Sequence, residues 1–259
     1  MKKIITDGVI LLKDNYKFVY KIADIEYIEY ENEEFEYIFI PNYSVIDLLD
    51  YDLFDGIPGL DLSLKKEKYT RKNIIPVFIS ERSPGKNREN LYELLHDCNM
   101  NYYNRLEWLK KTDTQYFGDS MYVRERSLED DCPKIIAKSM FHLVKRSDSI
   151  HKKLLEIICR GQSLECDEIA INDYNRKDYY RLLMPIYIKE YERRKEKINR
   201  GIALAKENHA YKGRKKIERE QSYILQIIEQ YRQNKITAEE ASKELRISRS
   251  TFFRRLKEL

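Results

Sequence analysis

Arginine and serine side chains near the C-terminus have the types and the spacing needed to contact nucleic acid. Ser250 and Arg254 stand four residues apart, so a helix over 249–259 places both on one exposed face, whereas Phe252 and Leu256 face the core. A guanidinium group can donate two hydrogen bonds to guanine in the major groove. We therefore predict that Arg254 contacts a base edge; the alternative is that the arginines contact phosphates alone. The candidate DNA-binding residues of this segment are Ser248, Arg249, Ser250, Thr251, Arg254 and Arg255.

A basic run before this segment supplies a second group of candidates. Its cationic side chains surround a glycine, and such a run can lie in the minor groove of DNA, where Lys and Arg sense groove width and A·T content. The alternative is a solvated charged tail. The candidates are Lys212, Gly213, Arg214, Lys215 and Lys216.

Charge is distributed unevenly along the chain. Of the 259 residues 36% are charged, and the net charge is +4. Residues 1–62 hold 14 Asp or Glu against 5 Lys, whereas residues 186–259 hold 20 Lys or Arg against 11 Glu. A basic C-terminal part is typical of a nucleic-acid-binding module attached to something else. The acidic part is expected to be mostly solvated, with a protein-binding surface as the alternative.

Composition excludes several classes of protein. The 42% of hydrophobic residues exclude a disordered chain, and the longest apolar run, residues 74–79, is far shorter than the about 20 residues that span a bilayer. Asp7 interrupts the apolar stretch that a secretory signal needs, so we expect a cytoplasmic protein with no membrane partner. The cysteines and histidines show no ligand-like spacing; we expect no disulfide framework, no metal site and no cofactor.

The hydrophobic pattern predicts the elements that position these residues. Up to about residue 75, apolar and polar residues alternate in short bursts, as in 35–40, which indicates an antiparallel sheet. Helices are predicted over about 87–98 and 102–111, and residues 121–123 indicate a returning strand.

Three further helices are predicted over 220–259. An isoleucine and tyrosine stripe marks the first of them. Thr237 and Glu240 have the spacing of a capping box that opens the second, and Ser248 can cap the third. Ile247 and Ser248 are predicted to form the turn between the second helix and the arginine-bearing third helix.

Residues 126–216 resemble the second half of a serine recombinase catalytic domain. In that family a strand runs into an Asp-Arg-x-x-Arg-Ser motif, which is followed by a helix, a glycine turn and another strand. Residues 134–147, a helix over 150–159, Gly161 and a strand over 168–172 follow the same order.

The similarity continues towards the C-terminus. Residues 191–206 are similar to the long dimerising helix of resolvases and invertases, and residues 211–216 are similar to the basic arm after it. The string from Ala241 to Arg254 is close to the helix-turn-helix of the same family. The resemblance implies double-stranded DNA as a partner and a homodimer through a helix over 184–207, with Pro185 near its start or at a kink.

Catalysis in that family requires a serine nucleophile and several arginines around the phosphate. The resemblance makes Ser80, at the end of a strand-like segment, and Arg146 weak catalytic candidates. Phe78 and Leu143 stand where arginines belong. We therefore expect no strand cleavage. An active site-specific serine recombinase that performs strand exchange is the alternative, and a purely structural DNA-bridging protein is a third possibility.

Residues 1–125 are similar to the N-terminal subdomain of HipA-type kinase toxins. The similarity lies in the strand-like residues 60–64, the run 76–78, the helix opening at 87–89 and the closing Gly118 and Asp119. It implies that a HipA-type kinase, or another protein, binds the acidic N-terminal module.

Together these patterns predict an α+β protein with four parts. They are a β-rich N-terminal module (1–125), a partial resolvase-like α/β domain with a long helix (126–210), a basic arm (211–219) and a C-terminal three-helix helix-turn-helix domain (220–259). We expect a sequence-specific DNA-binding regulatory protein derived from a serine recombinase, without recombinase activity. The expected setting is an antitoxin or repressor in a HipA-type toxin–antitoxin system or a mobile element.

Overall fold

An antiparallel sheet of five strands forms the centre of the N-terminal half. A computed structural model describes residues 2–116, 118–145, 149–208, 221–233 and 235–258. The strands are β1 (Lys2–Lys13), β2 (Val19–Tyr30), β3 (Phe35–Pro41), β4 (Tyr69–Lys72) and β5 (Met121–Arg124). Their order is β4-β3-β2-β1-β5, and every neighbouring pair is antiparallel. The predicted antiparallel sheet and the returning strand at 121–123 are confirmed.

Asp14 holds the turn between β1 and β2. One carboxylate oxygen accepts hydrogen bonds from the backbone N–H groups of Tyr16 (2.9 Å) and Phe18 (2.7 Å). The other accepts one from the Tyr20 hydroxyl (3.1 Å), which lies 3.2 Å from the hydroxyl of Tyr180. Burial raises the pKa of Asp14. The turn is therefore connected through polar contacts to the segment around Tyr180.

Short helices lie in the connections from β3 to β4 and from β4 to β5. They are α1 (Tyr43–Ile46), a 3₁₀ helix (Leu62–Leu64), α2 (Val77–Ser80), α3 (Leu91–Asp97) and α4 (Arg105–Thr112). α3 and α4 confirm the helices predicted over about 87–98 and 102–111, although each begins a few residues later. Asn104 caps α4, because its side chain accepts a hydrogen bond from the N–H of Glu107 (3.0 Å).

Two segments that the sequence predicted as strands are helical. In 60–64 the Asp61 side chain accepts hydrogen bonds from the N–H (3.1 Å) and hydroxyl (2.6 Å) of Ser63, which starts a 3₁₀ turn. The second is 77–80, which forms α2 directly after Pro76. Its consecutive residues Phe78 and Ile79 are both fully buried, which suits a helix against a core and not a strand with alternating faces.

The second half of the chain begins with a small sheet and a helix. Its elements are β6 (Lys134–Ile136), a 3₁₀ helix (Met140–Leu143), α5 (Ile150–Cys159), β7 (Ser163–Glu165) and β8 (Ala170–Ile171). β6 and β7 are parallel, and β7 and β8 are antiparallel. The predicted helix over 150–159 and a strand within 168–172 are confirmed.

One hydrophobic core joins these two halves. Ile22 and Ile25 of β2 pack with Leu155 and Ile158 of α5, and all four side chains are fully buried. Met1–Lys197 form one compact unit, and Ile198–Leu259 form a second. The boundary predicted near residue 125 lies inside the first unit, whereas the predicted three-helix domain lies inside the second.

A helix of 32 residues, α6 (Arg176–Glu207), follows β8. It begins eight residues before the predicted start near 184, and Pro185 lies inside it. Arg176 explains the earlier start, because its guanidinium group is buried and donates to the Gln162 carbonyl (2.6 Å) and to Asp173 (2.8 Å). Pro185 and Arg181 are exposed, so water can solvate the carbonyl that proline leaves without a donor.

The second unit contains α7 (Gln221–Arg232), α8 (Ala238–Glu244) and α9 (Arg249–Glu258). These helices confirm the three predicted within 220–259. In the described part of the chain, no helix combines the length and the apolar character that crossing a membrane requires. With helices and a main sheet whose five strands are all antiparallel, the chain belongs to the α+β class.

Candidate nucleic-acid interface

The three C-terminal helices bury a small apolar core. α7 contributes Ile224, Ile227 and Ile228, α8 contributes Ala238 and Ala241, and Leu245 and Phe252 complete the cluster. Tyr231 packs edge-on against Phe252, with ring centroids 5.2 Å apart. The inward-facing positions predicted from the sequence are therefore confirmed, and the opposite face of α9 is left to solvent.

A capping box opens α8. The hydroxyl of Thr237 accepts a hydrogen bond from the N–H of Glu240 (3.3 Å), and the Glu240 carboxylate accepts one from the N–H of Thr237 (2.7 Å). Hydrogen bonds from the N–H and the hydroxyl of Thr237 to its carboxylate lower the pKa of Glu240. The capping box predicted from spacing alone is present, and it satisfies two N–H groups at the start of α8.

The turn between α8 and α9 has the geometry of a Schellman motif. The N–H of Ile247 donates to the carbonyl of Ser242 (3.0 Å), and the N–H of Arg246 donates to the carbonyl of Lys243 (3.0 Å). Arg246 adopts the left-handed conformation (φ 50°), which glycine usually occupies. Ser248 then caps α9 as predicted, because its hydroxyl accepts a hydrogen bond from the N–H of Thr251 (3.2 Å).

The outer face of α9 carries the predicted side chains. Arg249, Ser250 and Arg254 are exposed, as is Ser248 at the cap. Thr251 and Arg255 are half-buried at the edges of this face. The structure therefore brings the six predicted residues of this segment together on one helix and its cap.

One contact on this face and one cation beside it were not predicted. The guanidinium group of Arg249 lies 5.9 Å from the ring centroid of Phe253, which is 37% exposed. The sequence signal that could have predicted this contact is the spacing of four residues, since residues at i and i+4 are neighbours on a helix. Arg246 is a further exposed cation in the turn. Its left-handed backbone could not be predicted, because turns of this kind normally contain glycine.

The basic arm and one catalytic candidate fall outside the described residues. These are Lys212, Gly213, Arg214, Lys215 and Lys216, and Arg146. They remain predictions from the sequence.

Ser80 does not occupy the position predicted for a nucleophile. It lies at the end of α2 and not at the end of a strand, and its hydroxyl donates to the carbonyl of Val77 (3.0 Å). Phe78 is fully buried, and the guanidinium group of Arg82 lies 4.1 Å from its ring centroid. Arg82 also forms an ion pair with Asp119, so this buried arginine is engaged in packing.

The described residues therefore assemble a cationic, hydrogen-bonding face on α9. Arginine donors suit phosphates and guanine edges, and the serine and threonine hydroxyls can donate or accept. No protein-family model and no curated protein matches the chain.

Proposed function

We propose that this chain is a sequence-specific DNA-binding regulatory protein that docks α9 in the major groove. The observation that carries the proposal is the capped α8–turn–α9 unit, which buries Phe252 and turns Arg249, Ser250 and Arg254 outward. In helix-turn-helix proteins the second helix of the pair contacts base edges with its N-terminal residues. Ser248, Arg249 and Ser250 hold that position here.

The proposal includes a dimer and a protein partner. One helix-turn-helix offers few contacts, and two half-sites multiply them, so the protein acts as a homodimer through α6. The acidic N-terminal module is the candidate surface for a HipA-type kinase or another protein, and the exposed Glu31, Glu33 and Glu34 supply negative charge at the β2–β3 turn. The protein then acts in the cytoplasm as a repressor or antitoxin of serine recombinase descent.

Binding to DNA tests the proposal directly. The full chain should bind one duplex selected from a random library, and its affinity should fall steeply with salt because counterions are released from phosphates. Arg254→Ala should weaken binding to the selected duplex by about 1–3 kcal/mol and relax specificity at one base pair. Arg232→Ala is the matched control, because it removes an exposed arginine at the end of α7.

Either of two results would refute it. The first is an absence of salt-dependent binding to any duplex. The second is an equal loss of affinity in the Arg254 and Arg232 variants, which would mean that only net charge matters.

Strand cleavage distinguishes this proposal from an active recombinase. Supercoiled plasmid that carries the selected site should show no covalent protein–DNA adduct after a detergent quench. Loss of one charge-stabilising group typically costs ~10²–10³ in rate, and Phe78 and Leu143 replace two of the arginines that the resemblance implies. An adduct that Ser80→Ala abolishes and Ser83→Ala retains would establish the recombinase instead.

A further inference from the structure

A cavity of about 310 Å³ lies between the start of α5 and the middle of α6, within the first unit. Its lining includes His151, Lys152, Tyr187, Glu190, Tyr191 and Arg194. Small-molecule sites usually occupy about 300–1,000 Å³, so a ligand of modest size would fit. The predicted function assigns no role to this cavity.

Among the charged side chains around the cavity, cations outnumber carboxylates. A neighbouring cavity of about 390 Å³ shares Glu190 and Arg194 and adds Arg193 and Lys197. Lys152, Arg193, Arg194 and Lys197 thus stand against one carboxylate, Glu190, in the linings of the two cavities. Repulsion among clustered cations favours the binding of an anion, and arginine is well suited to the oxygens of a phosphate.

Contacts with Glu190 position two of the side chains that line the cavity. The Glu190 carboxylate lies 3.0 Å from Nε2 of His151 and 3.7 Å from a guanidinium nitrogen of Arg194. Lys152 also pairs with Glu156 at 3.8 Å. Arg194 is 68% exposed in its side chain and keeps further donors, which makes it the chief candidate for a phosphate contact.

Two aromatic side chains form a fixed wall of the same cavity. The Tyr187 hydroxyl donates to the carbonyl of Tyr16 (3.3 Å), and its ring packs edge-on against Phe18 with centroids 5.0 Å apart. Tyr191 packs edge-on against Tyr16 with centroids 5.8 Å apart. Rings held in this way can stack with a flat base at little entropic cost.

We propose that this cavity binds a nucleotide, with its phosphate on Arg194 and Lys152 and its base against Tyr187 and Tyr191. A phosphate joined to a flat aromatic ring matches both halves of the lining. The site involves residues of the first unit only. Its test uses no DNA, so it can succeed or fail independently of the proposed DNA binding.

Titration calorimetry on the full chain at low salt tests the site. The probes are the four ribonucleoside 5′-monophosphates, with adenosine, guanosine, cytidine and uridine as ligands without phosphate and ribose 5-phosphate as a ligand without a base. At least one nucleotide should bind tenfold or more tightly than both its nucleoside and ribose 5-phosphate. The measurement overturns the proposal if no nucleotide binds, or if ribose 5-phosphate binds equally well.

Variants of α6 assign the contacts. Arg194→Ala should weaken nucleotide binding at least tenfold, and Lys189→Ala should leave it unchanged, because Lys189 is exposed on the same helix and lines neither cavity. Tyr191→Phe keeps the ring and should preserve binding, whereas Tyr191→Ala should reduce it about as much as Arg194→Ala does. Equal losses in the Arg194 and Lys189 variants would refute the site.

Discussion

At the scale of single residues, Asp130 ties the loop after β5 to the main sheet. Its carboxylate accepts hydrogen bonds from the N–H (2.9 Å) and hydroxyl (2.6 Å) of Ser127 and from the guanidinium group of Arg124 (2.6 Å). Burial acts to raise the pKa of Asp130. The hydrogen bonds from Ser127 and the charges of Arg124 and Lys21 outweigh it, so the pKa lies below its ordinary value of 3.8.

This lowered pKa predicts an acid-dependent stability. A carboxylate with a depressed pKa in the folded state stabilises the protein above its unfolded pKa, and that contribution is lost as the pH falls through the folded pKa. Asp130→Asn should therefore lower the free energy of unfolding at pH 7 by about 1–3 kcal/mol. Urea denaturation at several pH values should also show a smaller loss of stability below about pH 4 than in the parent.

Asp131 supplies the control for this experiment. Its side chain is 56% exposed and pairs with Arg126 at 3.6 Å. Exposed pairs of this kind contribute about 0–1 kcal/mol, so Asp131→Asn should change little. Identical pH profiles for the parent and the Asp130 variant would contradict the assigned role.

The left-handed backbone at Arg246 predicts that glycine stabilises this position relative to alanine. A side chain in the left-handed region costs roughly 1–2 kcal/mol relative to the right-handed conformation, and glycine avoids that cost. Arg246→Gly should therefore be more stable than Arg246→Ala by about 1 kcal/mol, although both remove the same guanidinium group. Hydrogen exchange of the α7 and α8 amides measures the difference, and equal protection in the two variants would exclude strain at this turn.

At the scale of elements, Gly161 lets α5 approach α1. Gly161 has φ 76°, and a Cβ there would lie 2.6 Å from Nδ2 of Asn42 and 2.8 Å from the Ser44 hydroxyl. Asn42 cannot easily move away, because its amide donates to the carbonyls of Lys21 and Arg160 (both 3.1 Å). This contact connects the two halves of the first unit.

Gly161→Ala should consequently destabilise the first unit. The left-handed backbone and the loss of the Asn42 hydrogen bonds together predict a decrease of about 2–4 kcal/mol in the free energy of unfolding. Gly85→Ala is a matched control, because nothing lies within 4 Å of a Cβ at that position. Thermal unfolding followed by circular dichroism compares them, and equal midpoints would contradict the packing argument.

Elements that depend on local pattern could be predicted from the sequence. Ile25 and Phe39 alternate with more exposed neighbours along their strands, and the caps at Thr237 and Ser248 involve residues only three positions apart. The α9 part of the candidate site was predicted for the same reason, since its exposed face follows from helical spacing.

Elements determined by distant contacts could not be predicted. Residues 77–80 have a β-like composition but form a helix, because Phe78 and Ile79 both pack into the core. The start of α6 depends on Arg176 and its contact with Gln162, 14 residues earlier in the chain. Pro185 was predicted near the start of this helix or at a kink, and its solvent exposure inside the helix is not visible in the sequence.

At the scale of the whole molecule, α6 contributes residues to both compact units of the chain. Its early residues Tyr180, Leu183 and Met184 pack on the core of the first unit. Beyond Lys197, Ile198 (62% exposed) and Ile202 (44% exposed) lie one turn apart, and Ala205 continues the same face. The homodimer predicted through 184–207 therefore has its available apolar positions in 198–205, since the positions before them are largely engaged.

Dimerisation should depend on that face of α6. Light scattering on the full chain at micromolar concentration should give twice 31.3 kDa. Each isoleucine buried between two copies contributes about 1.5–3 kcal/mol, so Ile202→Glu should weaken the dimer more than tenfold and yield a monomer. Leu182→Glu makes the same change at a 62% exposed position earlier on α6 and should leave the dimer intact. A parent that stays monomeric on a palindromic site, or a Leu182 variant as defective as the Ile202 variant, would contradict this arrangement.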